Sequence, residues 1–102
     1  MNTVHLSGNV GSRFEHRRIE GEDERYTFDV CNDERKSRLW KTVVVFHPTL
    51  IERLRNRFRD GAGTGLRVHV EGSLMPWKRG DAIRAESVII EETRPQRQKV
   101  AR

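Results

Sequence analysis

The recurrence of apolar residues at every second position is what most narrows the folds open to this chain. Across residues 3–10, Val4, Leu6 and Val10 alternate with polar neighbours and Gly8 keeps the parity. That is the period of a half-buried strand, and Gly8 marks an expected bulge or sharp bend. Gly11 and Ser12 then loosen the chain, and residues 13–25 mix charges of both signs around Gly21. They predict a strand end followed by an exposed turn. In residues 25–32, Tyr26, Phe28 and Val30 share one face while Thr27, Asp29 and Cys31 share the other. The valine-rich residues 39–46 give a third strand. Leu66, Val68 and Val70 alternate with Arg67, His69 and Glu71 in a fourth, which ends at Gly72. A loop holding Pro76, Trp77, Lys78, Arg79 and Gly80 leads to a fifth strand over residues 82–91.

Only once does the period change. Pro48 suits a first helical position, where its missing N–H does no harm. Leu50, Ile51, Leu54 and Phe58 then form a single apolar stripe, with Arg53, Asn56, Arg57 and Arg59 on the wetter side. Asp60 and Gly61 end the helix. The order is three strands, one helix, two strands. It predicts an all-β fold, a five-stranded Greek-key barrel of the OB type with one α-helix between strands 3 and 4. An open sheet with a helix on one face is the alternative; the narrow stripe of a lone helix suits the plug of a barrel better.

Of the 102 residues, 34% are apolar and 34% charged, so one small core is all the chain can build. Residues 1–92 make the domain. Residues 93–102 are polar and basic, without periodicity, and predict a disordered tail. A domain of this size gains from association between copies. The net charge of +5 suits a polyanionic partner, either nucleic acid or an acidic membrane surface. One cysteine, Cys31, allows no internal disulfide and fits a reducing, cytoplasmic setting. No apolar run nears the roughly 20 residues needed to span a bilayer, and no signal peptide is expected.

Side-chain parity then points to a binding surface. Trp40, Thr42, Val44 and Phe46 lie on one face of the third strand; Leu39, Lys41, Val43 and Val45 lie on the other. The small branched valines suit a tight interior, which sends Trp40 and Phe46 outward, about 20 Å apart at ~3.3 Å per residue. Outward aromatics on a basic protein suit base stacking. Trp77, beside Lys78 and Arg79 in its loop, fits a stacking finger. The cations Arg35, Lys36, Arg38 and Lys41 crowd around Trp40 and suit phosphate contacts. Arg13, Arg17 and Arg18 extend the track, diluted by Glu15 and Glu20.

Little suggests catalysis. His5, His16, His47 and His69 are scattered, without metal-ligand spacing around Cys31. There is no phosphate-binding glycine loop, and Glu91 and Glu92 point to opposite faces of a strand. No cofactor or metal is expected.

At this point the residues resemble a known family, the bacterial single-stranded DNA-binding proteins. The opening MNTVHLSGNVG looks like that family's first strand, and WKTVVVF from Trp40 to Phe46 like its third. GLRVHVEGSL from Gly65 resembles its fourth strand, and AESVII from Ala85 its fifth. The resemblance spans residues 1–92. It implies an OB-fold that binds single-stranded DNA without catalysis and assembles as a homotetramer. Trp40 and Phe46 match its base-stacking positions, Trp77 matches one within a shortened loop, and Arg17 lies where a basic residue is common. The compactness also resembles primosomal replication protein N, a dimeric relative without a tail, which leaves two or four subunits open. The family usually ends in an acidic tip that recruits other proteins. This chain stops on a basic run, so such recruitment is not expected.

Two functions follow as expectations. One is protection or organisation of single-stranded DNA in replication, recombination or repair, with single-stranded RNA served equally by stacking and phosphate contacts. The other is an adaptor whose aromatic face holds a partner protein.

Overall fold

A computed structural model describes residues 2–32 and 39–91. Among the described residues, five strands and one α-helix follow one another: β1 (Val4–Arg17), β2 (Arg25–Asn32), β3 (Leu39–Val45), α1 (Pro48–Arg57), β4 (Arg67–Trp77) and β5 (Gly80–Ile90), with a single 3-10 turn at Arg59–Gly61 after the helix. The strands close into a barrel in the order β1-β2-β3-β5-β4. Among the described residues, β3 and β5 pair in parallel and the other four pairings are antiparallel. Among the described residues, no helix is long and apolar enough to cross a membrane.

Closure depends on β1, which serves two neighbours. Its first half pairs with β4, from Val4 opposite Gly72 to Asn9 opposite Arg67. Its second half pairs with β2, from Asn9 opposite Cys31 to Arg17 opposite Arg25. The strand therefore does not stop at Val10, as the alternation suggested, but runs on to Arg17. An irregularity between Val10 and Phe14 shifts the register and bends the strand from one partner to the next. Gly8 is not that bulge. A Cβ there would lie 2.3 Å from the Cys31 carbonyl oxygen, so this glycine permits close passage of two backbones.

A second correction concerns β4. It continues past Gly72 to Trp77, with a register shift between Glu71 and Gly72. Pro76 and Trp77 thus belong to a strand, paired with Asp81 and Gly80, and not to a loop. Lys78 and Arg79 alone form the hairpin tip, with Lys78 at φ 52°.

The interior is filled largely as the parity predicted, with two exceptions on β3: Leu39, on the inward parity, is 65% exposed near the strand's start, and Val44, on the outward parity, is fully buried. Phe28, Val30, Val43, Val45, Val68, Val70 and Ile83 are all buried. Helix α1 buries Leu50, Ile51 and Leu54, and Phe58, just beyond its end, completes the stripe. The Phe58 ring meets Phe28 edge-on at 5.3 Å and Phe14 at 5.5 Å. Arg55 and Arg57 occupy the last turn, where they complement the negative end of the helix dipole. Burial pushes the Tyr26 phenol up to about 12, against an opposing pull from Arg55. Tyr26 therefore stays neutral inside the cluster at physiological pH.

Candidate nucleic-acid interface

Because Tyr26, Phe28 and Val30 fill the barrel, Arg25, Thr27, Asp29 and Cys31 of β2 face outward. On β3 the same rule sends out Trp40, Thr42 and Val44, of which Val44 is fully covered. Register lays these side by side: Cys31 opposite Trp40, Asp29 opposite Thr42, and Thr27 opposite Val44. On the far side, β5 brings Arg84 level with Val44.

Trp40 is 56% exposed. Its ring lies against β1 at Gly11, where an added Cβ would come 2.8 Å from the ring's outer edge. Glycine at this position lets the edge of the indole approach β1 while much of the ring stays exposed. Gly11→Ala is expected to push the ring off β1. The obstructed atoms are the far end of a side chain, so stability should change by no more than about 0.5 kcal/mol. In a Trp77→Phe background, tryptophan emission reports Trp40 alone. A wavelength shift with an unchanged melting temperature checks the expectation; an unchanged spectrum contradicts it.

Trp77 ends β4 and folds back over this face. The Arg25 guanidinium lies 5.0 Å from the centre of its ring, a contact worth about 0.5–1 kcal/mol. The Nε of Arg25 is buried without a hydrogen-bond partner among the described residues. Trp77 and Lys78 overhang a cleft of about 500 Å³ whose floor includes Thr27, Asp29 and Thr42, a size typical of clefts that take small ligands. Thr27, which faces outward by parity, is 8% exposed, and its hydroxyl donates to the Glu15 carbonyl at 3.5 Å. A second hollow of about 540 Å³ opens beside Trp40. Ser12, Arg13, Asp29 and Thr42 line both, so the two hollows form one groove with a tryptophan at each end.

The other expected residues are distributed unevenly. Thr42 sits on the groove floor and donates a hydrogen bond to Asp29 Oδ1 at 3.0 Å. Phe46 lies just past the end of β3, half-buried, with the Arg84 guanidinium 5.1 Å from its ring centre. It lines a separate depression with His47 and Ser73, so one of its faces is already covered. Lys41 has the opposite parity to Trp40, and its ammonium pairs with Asp81 at 2.7 Å. Arg17 is exposed and lies opposite Arg25 in register. Like charges directly opposite on neighbouring strands are unfavourable unless something neutralises them. Lys78 and Arg79 are exposed at the hairpin tip. Arg35, Lys36, Arg38 and the basic tail of residues 93–102 lie outside the described residues.

Sequence reasoning left out Arg25, Asp29 and Arg84, and gave Arg13 little weight. The signal for the first two was present: both share parity with Thr27 and oppose the buried Tyr26 and Phe28. Among the described residues, no group of three His, Cys, Asp or Glu is placed to hold a metal ion.

A closed barrel in the order β1-β2-β3-β5-β4, with its helix between β3 and β4, defines the OB-fold class. Solved structures with the same architecture include a Plasmodium falciparum single-stranded DNA-binding protein in complex with single-stranded DNA. It is 21% identical with a TM-score of 0.72, over 90% of this chain and 96% of that one. The Saccharomyces cerevisiae mitochondrial single-stranded DNA-binding protein Rim1 gives 15% identity and a TM-score of 0.70, over 88% and 93% of the two chains. The dimeric N-terminal domain of PriB from Thermoanaerobacter tencongensis gives 20% and 0.63, over 90% and 98%. At these identities the likeness establishes the fold. No family model matches the chain, and no curated protein sequence matches it at a significant level.

Proposed function

We propose that this chain binds single-stranded DNA, largely without sequence preference, and protects or organises it during replication, recombination or repair. The observation that carries the reading is the groove across the outer face of β2 and β3, with Trp40 and Trp77 at its ends and Arg13 and Lys78 on its walls. Bases stack on the indoles because every base has a π face. Arginine and lysine take the phosphates and release counterions. The Plasmodium neighbour, solved with single-stranded DNA, supports the same use of the fold.

In this reading residues 1–92 are the binding unit, the protein is cytoplasmic, and it performs no catalysis. Self-association belongs to it too. Ile89 is 61% exposed on β5, an apolar surface that a second copy would cover, and the PriB neighbour is dimeric. Light scattering reads the subunit number.

The test is a titration with a single-stranded oligonucleotide, followed by tryptophan fluorescence at two salt concentrations with duplex as competitor. Quenching is expected, with log K falling against log salt by about 0.7 for each phosphate neutralised. No quenching and no gel shift at low salt would overturn the reading.

A further inference from the structure

We propose that Asp29 makes the centre of this groove read the base edge and favour guanine over thymine, a refinement that rests on the strand-binding reading above. Asp29 is a misfit in a surface built for phosphates. A carboxylate repels a phosphate at short range, yet this one lines both halves of the groove, those of Trp40 and Trp77, whereas Glu15 lines only the Trp77 half. Backbone parity on β2 points it out of the barrel. Thr42, directly opposite on β3, holds it there by donating to Oδ1 at 3.0 Å.

A carboxylate accepts hydrogen bonds only, with about four lone-pair positions on its two oxygens. Thr42 occupies one of them. A base stacked on a neighbouring indole turns its Watson–Crick edge toward such a floor. Guanine offers two adjacent donors there, N1–H and N2–H, which match the two oxygens of a carboxylate. Thymine offers a single N3–H between two carbonyl oxygens, both of which the carboxylate repels. Cytosine and adenine each set one amine hydrogen beside a ring nitrogen that repels it. Only guanine makes the paired contact, and a bidentate pair of this kind discriminates by roughly tenfold or more. Stacking stays tolerant of sequence elsewhere along the groove, so the bias is confined to this subsite.

The test uses the full chain and labelled oligonucleotides of equal length, read by fluorescence anisotropy. One is all thymine, one carries guanine at spaced positions, and one carries hypoxanthine, which lacks the N2 amine, at the same positions. The unmodified protein is expected to favour the guanine strand roughly tenfold over the thymine strand, with hypoxanthine falling most of the way back. Asp29→Asn keeps the size of the side chain and can still accept from Thr42. It is expected to bring the three strands to parity, mainly by tightening thymine binding. Equal binding of all three strands by the unmodified protein, or a guanine preference that survives Asp29→Asn, would overturn this inference and leave strand binding intact. Failure to bind any of the strands would overturn both.

Discussion

Alanine at both Trp40 and Trp77 is expected to lower affinity for single-stranded DNA by at least about thirtyfold. Each base–aromatic stack is worth roughly 1–3 kcal/mol by alanine substitution, so two together forfeit about 2–6 kcal/mol, and every 1.4 kcal/mol is a factor of ten. The two rings should not contribute equally. Trp40 is 56% exposed, with only the edge of its ring against Gly11, so removing it sacrifices a stack and gains nothing. Trp77 already leans on the Arg25 guanidinium. Its removal sacrifices a stack but frees Arg25 for a phosphate, so the single Trp77→Ala change should cost less and steepen the salt dependence. Anisotropy titrations of both single variants and the double variant measure this. A double variant that stays folded and binds as tightly as the parent would mean that the strand does not stack on these rings.

The largest effect on stability is expected at Phe28. Its side chain is 1% exposed and packs between Tyr26 at 6.1 Å and the edge-on Phe58 ring at 5.3 Å. Phe28→Ala should cost about 3–5 kcal/mol, through lost burial and the cavity left behind. Small domains hold only about 5–15 kcal/mol in total, so the variant should sit at the edge of unfolding at room temperature. Urea denaturation checks this through the midpoint. Phe28→Leu, which keeps most of the volume, should lose far less. A drop below about 1 kcal/mol would mean that the aromatic cluster collapses around the gap rather than holding its shape.

How much of this was legible in the sequence depended on whether the cause was local. The alternation of Tyr26, Phe28 and Val30 with Thr27 and Asp29 placed β2, its inner face and its outer face together. The stripe of Leu50, Ile51, Leu54 and Phe58 located the helix and the side it buries. The second half of β1 was hidden because its outward positions are charged, Arg13, Glu15 and Arg17, and because Gly11 and Ser12 read as a break. A bulge keeps the strand going through them. Gly72 and Pro76 looked like punctuation in β4. Yet Gly72 lies at a register shift inside the strand, and Pro76 occupies the exposed end of a hairpin, where a missing N–H is tolerated. The tilt of Trp77 onto Arg25 is set by the course of a hairpin from the other end of the chain. No spacing within residues 76–80 encodes it. The groove was therefore half legible: parity supplied its floor and Trp40, while its overhanging wall came from tertiary structure.

The double duty of β1 also has a kinetic consequence. Residues 4–9 are synthesised well before their ladder partner, which runs from Arg67 to Gly72. At synthesis rates of about 5–20 residues per second, that N-terminal edge waits about 3–12 s with its amides and carbonyls unmatched. Non-local pairing of this kind puts the chain among the slow folders, and an open edge in the meantime is a template for a neighbouring nascent chain.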